Sequence, residues 1–256
     1  MKPVALVTGA SAGLGHAFAR ALASRGYDLV LAARDEARLQ ELAQEVVSRA
    51  EAEVLTADLT EAGGLASVEA RLRDRERPVD LLVNNAGFGT NGHFAELPLE
   101  VEDRQIRLNV LAVVRLAHAA LEGMIERGRG GIINVSSLAA YQPLPENAAY
   151  GGSKAFVHSF SQALHEEARG TGVRVMVLAP GFTRTEFQER SGIDAAQVPG
   201  FLWQTAEAVV FPALDAFGRG RAVFVPGLHN QVAGALVQVT PDALTRRVAG
   251  VITRRY

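Results

Sequence analysis

A tyrosine and a lysine stand four residues apart in the segment NAAYGGSKAF, which begins at Asn147. At this spacing Tyr150 and Lys154 lie on the same face of a helix, one turn apart. The phenol of a tyrosine has an unperturbed pKa of about 10, which is too high for easy proton exchange near neutral pH, and a nearby cation lowers that pKa. The pair is therefore a candidate proton donor with its tuning group, although the spacing alone has almost no specificity.

Two serines and an asparagine are candidates to complete such a site. Ser136 and Ser137 end an apolar run that predicts the fifth strand, and open α/β sheets bind ligands at this edge. Adjacent strand residues point to opposite faces, so we expect only one of the two hydroxyls to hold a substrate oxygen. Asn109 stands in an otherwise apolar helical run, where a buried amide needs partners. It either belongs to the site or holds the backbone of a loop.

The first predicted strand is followed at once by a glycine-rich turn. Gly9, Gly13 and Gly15 have the spacing G-x-x-x-G-x-G, between a buried strand and an amphipathic helix. Glycine lets the backbone approach a pyrophosphate closely, and the helix N-terminus supplies N–H groups and a positive dipole end. The pattern predicts a dinucleotide site, and the alternative is a tight strand-to-helix turn that binds nothing.

The end of the second predicted strand indicates which dinucleotide is preferred. An acidic residue there binds the ribose 2′-hydroxyl of NAD(H), whereas an arginine accommodates the 2′-phosphate of NADP(H). Ala33 and Arg34 occupy this region, and Asp35 is expected to cap the next helix. Arg34 favours NADP(H), with the Ser11 hydroxyl as a second phosphate contact. A single cation predicts a modest preference that leaves NAD(H) usable, and the alternative is a merely solvated Arg34.

Apolar, β-branched runs alternate with helical patterns along the chain, which predicts a parallel sheet with helices on both faces. The expected fold is α/β, a Rossmann-like doubly wound sheet of seven parallel strands. The predicted strands are Val4–Thr8, Asp28–Ala33, Glu53–Thr56, Asp80–Asn84, Gly131–Ser136, Val173–Ala179 and Ala222–Val225. The predicted helices lie near Leu14–Ser24, Glu36–Ala50, Leu65–Arg75, Glu102–Glu126, Ala149–Arg169 and Thr205–Phe217.

Composition limits the remaining choices. The 256 residues are 48% hydrophobic and contain no evident linker or repeat, so residues 1–256 are predicted to form one domain. A net charge of −2 predicts no global attraction to nucleic acid or anionic membranes. With no secretory signal pattern and no run of 18 or more apolar residues, no membrane span is expected. The absence of cysteine excludes disulfides and thiolate chemistry and fits the cytoplasm, where we expect the protein. The histidines show no third ligand at useful spacing, so no metal is expected.

Seven motifs, in the right order, resemble those of the short-chain dehydrogenase/reductase family. They extend from residue 4 to about residue 185, and together they are far more specific than any one alone. The resemblance implies an NAD(P)(H)-dependent enzyme that moves a hydride between nicotinamide and a carbonyl or alcohol carbon. The motifs are TGASAGLG (Thr8–Gly15), ADL (Ala57–Leu59), NNAG (Asn84–Gly87), Asn109, INVSS (Ile133–Ser137), YGGSK (Tyr150–Lys154) and APGFTRT (Ala179–Thr185).

The resemblance also implies roles for individual residues. The family's serine lies thirteen residues before its tyrosine, which selects Ser137 as the group that binds the substrate oxygen. Tyr150 is then the general acid/base, Lys154 tunes it and binds the nicotinamide ribose, and Asn109 joins a water-linked proton relay to Lys154. The implied cofactor contacts are Gly9, Ser11, Gly13, Leu14, Gly15, Arg34, Asp58, Leu59, Asn85, Ala86, Gly87, Tyr150, Lys154, Pro180, Gly181, Thr183 and Thr185.

The substrate itself is only weakly indicated. Residues 186–203 are expected to form a mobile lid. Phe182, Phe187 and Trp203 are candidate apolar contacts beside Ser137 and Tyr150, and they suggest a small, partly hydrophobic carbonyl or alcohol substrate. A 3-oxoacyl thioester reductase is an alternative. A non-catalytic cofactor sensor or scaffold is a less favoured one, because the Ser/Tyr/Lys/Asn set is intact.

The C-terminal segment departs from the family's most common ending, a short strand with glycines. Residues 228–256 predict two amphipathic helices, and the second carries Arg246, Arg247, Arg254 and Arg255. Packing on the domain or at a dimer interface is the favoured role for them. This departure puts the usual tetramer in doubt, so the expected assembly is a homodimer or a homotetramer.

Overall fold

A computed structural model describes residues 2–187, 198–241 and 244–247. Seven parallel strands form one sheet in the order β3-β2-β1-β4-β5-β6-β7. The chain builds outward from β1 to β3, crosses back, and builds outward again from β4 to β7, which confirms the predicted doubly wound topology. The strands are β1 (Val4–Thr8), β2 (Asp28–Ala33), β3 (Ala52–Thr56), β4 (Leu81–Asn84), β5 (Gly130–Val135), β6 (Val173–Leu178) and β7 (Val223–Phe224).

Helices connect the strands and cover both faces of the sheet. The predicted helix from Glu102 to Glu126 is divided into three parts by a π-helical segment, Arg107–Ala112. Short 3₁₀ turns occur at Leu138–Tyr141 and Gly200–Leu202. The α-helices are α1 (Gly13–Ser24), α2 (Glu36–Val46), α3 (Ala62–Leu72), α4 (Leu99–Ile106), α5 (Val113–Glu126), α6 (Ala148–Glu167), α7 (Ala206–Gly218) and α8 (Leu228–Val239).

Alternate residues of each buried strand supply two hydrophobic cores, one on each face of the sheet. In β1, Ala5 and Val7 join the core that α1, α2 and α7 complete, whereas Leu6 joins the core beneath α3 and α5. All three side chains are fully buried. This explains why the strands are continuous apolar runs, since both faces of a parallel sheet are covered.

The helical stretch Leu99–Glu126 reaches the length and composition of a membrane span. Its most apolar 18-residue window has a mean hydropathy of 1.5, and 44% of that window is buried inside the protein. Leu116, Ala117, Ala120 and Met124 on α5 pack into the core beneath the sheet. The high hydropathy is therefore explained by burial of this apolar face in the core, as in a core helix.

The carboxyl ends of the central strands meet where the chain reverses direction across the sheet. β1 and β4 are neighbours although they are not consecutive, and their register pairs Ala5 with Leu81 and Val7 with Val83. In open α/β sheets this switch point opens a crevice for ligands. The glycine loop follows β1 and the NNAG motif ends at Gly87 after β4, so the topology brings these two motifs together.

Two predicted segments lie partly outside the described residues. Of the expected lid, the structure describes residues 186–187 and 198–203. The first predicted C-terminal helix is present as α8, whereas the second is described only at residues 244–247, which are helical. Arg246 and Arg247 lie in that turn, and Arg254 and Arg255 lie outside the described part of the chain.

Candidate active site

Tyr150 lies in the first turn of α6, and its side chain points into the crevice. Its ring lies 5.5 Å from the ring of Phe187, centroid to centroid. A Cβ added at Gly89 would lie 3.1 Å from the Tyr150 ring and 3.3 Å from the Phe187 ring, so the loop after β4 packs against both rings. The residue keeps some exposed surface, but its phenolic end is enclosed by protein, and this burial raises the pKa of Tyr150 to about 12.

Lys154 lies one helical turn after Tyr150 and is buried. Its Nζ donates a hydrogen bond of 3.0 Å to the carbonyl oxygen of Val135, at the end of β5. The same Nζ lies 5.8 Å from the centroid of the Tyr150 ring. Burial lowers the pKa of Lys154 to about 8, because removal from water disfavours the charged ammonium.

The pKa of Tyr150 was expected to be lowered, but in the protein alone it is raised. Burial disfavours both the phenolate and the ammonium, and it dominates both pKa values. The interaction that lowers the pKa of Tyr150 comes instead from a hydrogen bond with the Ser137 hydroxyl, and it is the smaller effect. Near neutral pH the phenol is therefore protonated and the lysine is mostly charged.

The two neighbouring serines separate into different roles, as the alternation of a strand requires. Ser137 is the N-cap of the 3₁₀ turn, where its Oγ accepts a hydrogen bond of 3.1 Å from the backbone N–H of Ala139. Its hydroxyl also reaches the phenol of Tyr150. Ser136 is buried and donates a hydrogen bond of 2.8 Å to the carbonyl oxygen of Lys154. Ser137 thus faces the crevice, and Ser136 fastens β5 to α6.

Asn109 lies in the π-helical segment and is buried. Its Oδ1 accepts a bond from the N–H of Phe88, and its Nδ2 donates to the Phe88 carbonyl at 2.9 Å and to Ser153 Oγ at 3.1 Å. The amide therefore holds the loop after β4, which was the alternative to a role in the site. A Cβ at Gly87 would meet both Asn109 Oδ1 at 3.0 Å and Lys154 Nζ at 3.4 Å, so the two groups also converge.

The glycine loop has the geometry of a phosphate cradle. Gly9 and Gly13 have φ values of +66° and +56°, which side-chain-bearing residues rarely adopt. A Cβ at Gly15 would overlap the carbonyl oxygen of Gly9, so only glycine fits there. The N-terminus of α1 has no side-chain cap and no acidic residue in its first turn. Its N–H groups are therefore available to an anion, and the loop fits the pyrophosphate of a dinucleotide.

The remaining predicted contacts of the glycine loop and of the loop after β4 surround this cradle. Ser11 and Leu14 are partly buried on either side of Gly13. The side-chain amide of Asn85 donates to the carbonyl oxygen of Thr8 at 2.9 Å, and the N–H of Ala86 donates to the Thr8 hydroxyl at 3.0 Å. These bonds join the ends of β1 and β4, so they fix the width of the crevice.

Arg34 follows β2 at the other end of the crevice. Its side chain is 62% exposed, and its Nη1 lies 3.8 Å from Oδ2 of Asp58. Asp58 also accepts hydrogen bonds from the N–H and hydroxyl of Thr60, at 2.9 and 2.7 Å. Burial would raise the pKa of Asp58, but the Thr60 hydrogen bonds and Arg34 outweigh it and hold that pKa below its usual value. Asp35 caps α2 by accepting from the N–H of Arg38, as predicted.

Leu59 is predicted to contact the cofactor. Its side chain is buried in the core beneath α3, so only its backbone is left to face a cofactor. A leucine next to Asp58 can either pack into the core or contact a cofactor. Which of these its side chain does depends on how α3 packs against it.

The turn after β6 lies against the glycine loop. Pro180 and Thr183 are buried, and the Thr183 hydroxyl donates to the carbonyl oxygen of Gly181 at 3.1 Å. A Cβ added at Gly13 would lie 3.1 Å from the side chain of Thr185. The turn is therefore placed to enclose the cofactor cradle.

The three aromatic candidates for substrate contact fall into two groups. The rings of Phe182 and Trp203 lie 5.5 Å apart and form one aromatic pair. Phe187 lies instead on Tyr150. The structure thus brings Phe187 directly to the catalytic candidate and leaves Phe182 and Trp203 as a separate pair.

A buried hydrogen-bond chain that sequence reasoning missed supports the site. Asn84 of β4 donates to Asn134 of β5, and Asn134 donates to Ser161 of α6, each at 2.9 Å. All three residues are buried. Because unpaired buried amides are costly, this chain fixes the position of α6, and hence of Tyr150, against the sheet. The available signal was an asparagine within each of two otherwise apolar strands.

Comparison with known proteins agrees with this geometry. The model of the short chain dehydrogenase family matches residues 3–195, and the chain belongs to this family. Sulfoacetaldehyde reductase 2 of Chromohalobacter salexigens is 39% identical over 199 residues, which cover 77% of this chain and 79% of that protein.

Solved structures of the family superpose over nearly the whole chain. A short-chain dehydrogenase from Sphingobium yanoikuyae, in complex with NADPH, is 38% identical with a TM-score of 0.85, over 98% of this chain and 95% of that one. The bulky-bulky ketone specific alcohol dehydrogenase of Comamonas testosteroni is 33% identical with a TM-score of 0.80, over 94% and 96%. The protein is therefore an oxidoreductase of the NAD(P)-dependent class that acts on CH–OH or C=O groups.

Proposed function

We propose that the protein is an NADP(H)-preferring carbonyl reductase or alcohol dehydrogenase in which Tyr150 is the general acid/base. The observation that carries the proposal is the meeting of three groups at one point of the crevice. The Ser137 hydroxyl reaches the Tyr150 phenol, and the Lys154 ammonium lies 5.8 Å from the Tyr150 ring. Ser137 lies just after the carboxyl end of β5, and Tyr150 and Lys154 lie in the first turns of α6. The carboxyl ends of the strands form the edge at which such sheets bind ligands.

The chain's own residues handle the substrate oxygen and its proton. The bound nicotinamide supplies or accepts the hydride. In the direction of reduction, the Ser137 hydroxyl holds the carbonyl oxygen, and the phenol of Tyr150 donates its proton to that oxygen. The high pKa of Tyr150 in the protein alone keeps this proton in place until the more basic alkoxide oxygen forms.

Lys154 then stabilises the phenolate that the proton transfer leaves. Its ammonium is on the same helical face as Tyr150 and is anchored by the Val135 carbonyl oxygen. Attraction between ammonium and phenolate is strong in a site from which water is excluded. We further propose that Asn109 keeps a proton path open beside Lys154, since its Oδ1 and Lys154 Nζ converge at Gly87.

The preference for NADP(H) rests on the second strand. Arg34 occupies the position after β2 where an acid would select NAD(H), and its guanidinium points away from the core, 62% exposed. The similar dehydrogenase from Sphingobium yanoikuyae is in complex with NADPH, which supports the same choice. Because Arg34 is exposed, we expect the preference to be modest.

The proposed substrate is a small, partly hydrophobic ketone, aldehyde or alcohol. Phe187 covers Tyr150, and the Phe182–Trp203 pair adds a second apolar surface. The named relatives act on chemically different carbonyl compounds, a sulfoacetaldehyde in one case and bulky ketones in another. These relatives support the class of reaction. They do not indicate one substrate, which we expect the residues around the crevice to select.

Isotope transfer tests the proposal. The protein would be incubated with a panel of ketones and aldehydes and with NADPH carrying deuterium at nicotinamide C4. We expect loss of the reduced nicotinamide absorbance and deuterium on the carbinol carbon of at least one alcohol product. Binding of NADPH without turnover of any carbonyl compound would contradict the proposal and favour the non-catalytic sensor.

We also propose that residues 1–256 act as one domain in the cytoplasm, as a homodimer or homotetramer. The lack of cysteine supports a reducing compartment. Large apolar side chains are exposed on consecutive helices, which supports a subunit interface. They are Leu99, Ile106, Leu111, Ile125 and Phe156. Light scattering after gel filtration would test the assembly, and a monomer at micromolar concentration would refute it.

A further inference from the structure

Glu186 places a carboxylate at the end of the crevice where the cofactor's phosphates are expected. Its Oε1 and Oε2 lie 2.8 and 2.9 Å from Nη1 of Arg38. Arg38 lies in the first turn of α2, four residues after Arg34 in the chain, and its Nε is also 3.6 Å from Oδ2 of Asp35. The second cation at this end of the crevice is therefore neutralised by two carboxylates.

The position of Glu186 in the chain connects this ion pair to the rest of the site. Thr185 lies against Gly13 of the glycine loop, and Phe187 lies on the ring of Tyr150. The three residues Thr185–Phe187 thus form a strap from the cofactor cradle to the proposed acid. The ion pair with Arg38 fastens the middle of that strap to α2.

A phosphate on the ribose would change this charge balance. Beside Arg34 it would meet the positive charge of Arg38 and the negative charge of Glu186. A phosphate carries more negative charge than a carboxylate and binds a guanidinium in the same two-pronged way. It therefore competes with Glu186 for Arg38, and Glu186 opposes its binding as long as the ion pair persists.

We propose that Glu186 is a specificity-determining residue for the cofactor, which occupies Arg38 in the cofactor-free protein and gives it up to the 2′-phosphate of NADP(H). Arg38 then becomes the second cation beside Arg34. This inference rests on the proposed NADP(H) preference and explains why that preference is modest. It also links phosphate binding to the strap, because Glu186 belongs to the segment that holds Phe187 on Tyr150.

The test compares ligands that differ only in the ribose phosphate. Dissociation constants would be measured for NADPH and NADH, and for adenosine 2′,5′-bisphosphate and 5′-AMP, which lack the nicotinamide. We expect Glu186→Gln to lower the dissociation constants of NADPH and of the bisphosphate about two- to fivefold, as for loss of an exposed ion pair. The dissociation constants of NADH and AMP should change little. Arg38→Gln should weaken NADPH by a similar factor and abolish the effect of Glu186→Gln.

A matched control separates this effect from a change of net charge. Glu45 forms an ion pair of 2.8 Å with Arg20, and the two side chains are 42% and 48% exposed, against 41% and 43% for Glu186 and Arg38. Glu45→Gln removes the same charge further along α2 and should leave the NADPH-to-NADH ratio unchanged.

Three results would overturn the inference, and one would overturn its basis. Unchanged or weaker NADPH binding in Glu186→Gln contradicts the role of Glu186. So does the same tightening in the Arg38→Gln background, or an equal effect of the Glu45→Gln control. Equal affinities of the unaltered protein for NADPH and NADH would instead refute the cofactor preference itself.

Discussion

The two ends of the crevice are built from different interactions. At the Tyr150 end, Lys154 and Asn109 are buried, and each makes hydrogen bonds with fixed backbone groups. At the Arg34 end, exposed ion pairs dominate, with Arg34 3.8 Å from Asp58 and Arg38 paired with Glu186. Proton transfer requires fixed geometry and excluded water, whereas recognition of a phosphate needs only charge at the right place.

This difference sets the size of the effects that substitution should have. A group that is buried and hydrogen-bonded is costly to remove, because its partners are left unpaired in a site without water. An exposed charge is screened by water and salt, so its removal changes binding by a modest factor. Changes at the Tyr150 end should therefore exceed those at the Arg34 end.

The largest effect is expected for Tyr150→Phe, which removes the proton donor but keeps the ring beneath Phe187. We expect kcat to fall by about 10²- to 10⁴-fold, the usual contribution of a positioned acid or base. The dissociation constant of NADPH should change little. Steady-state kinetics and cofactor titration would measure both.

Tyr27→Phe is the matched control. Tyr27 is half-buried against the core that α1, α2 and α7 complete, outside the crevice. It should leave kcat unchanged. Near-full activity in Tyr150→Phe would refute the proposed mechanism.

The next largest effect is expected for Gly15→Ala, because a Cβ at Gly15 overlaps the Gly9 carbonyl oxygen and lies 2.6 Å from Nδ2 of Asn85. We expect the free energy of unfolding to fall by about 1–3 kcal/mol, as for other overpacked sites. Cofactor binding should weaken as the cradle shifts. Urea unfolding and NADPH titration would detect these changes.

Gly63→Ala supplies the comparison, since Gly63 also lies in the first turn of a helix but has open space around it. It should be neutral or slightly stabilising. Equal destabilisation by both substitutions would show that close packing of the glycine loop is not the reason why Gly15→Ala lowers the free energy of unfolding.

A smaller effect is expected in the pH dependence of stability. The pKa of Lys154 is about 8 in the folded protein against a usual 10.5, so the unfolded chain binds more protons between these pH values. Stability should therefore rise with pH through this window. Tyr150 acts in the opposite direction, since its pKa rises from 10.0 to about 12, but it does so only above pH 10.

Urea unfolding from about pH 7 to about pH 10 would measure this window against Lys154→Met. The difference in unfolding free energy between the unaltered protein and the variant should grow above pH 8 in favour of the unaltered protein. A difference independent of pH would contradict the lowered pKa of Lys154.

At the Arg34 end, a smaller effect is expected for Arg34→Ala. The substitution should weaken binding of NADPH about five- to tenfold and binding of NADH much less, because only the 2′-phosphate interacts with the guanidinium. Added salt should reduce the difference between the two proteins. Cofactor titration at two ionic strengths would measure it, and an unchanged NADPH-to-NADH ratio would remove Arg34 from the phosphate site.

Most of the fold followed from local patterns. The bounds of β1 and β2 agree with prediction residue by residue, and Asp35 caps α2 as expected. Agreement was good because buried parallel strands are continuous apolar runs and a helix cap requires a particular side chain. The helix from Glu102 was predicted as continuous, and the π-helical segment at Asn109 was missed. Nothing in the local pattern distinguishes an α turn from a π turn.

The sequence by itself determined the order of the strands and helices, the glycine loop and the family, because these depend on residue type and spacing. It also identified Tyr150, Lys154, Ser137 and Asn109 as a candidate set. Only the tertiary structure decided that burial raises the pKa of Tyr150 and lowers that of Lys154. Likewise, only the structure paired Arg38 with Glu186, 148 positions away. Burial and such pairings depend on every element packed around a group, and neighbours distant in the chain leave no mark on the local pattern.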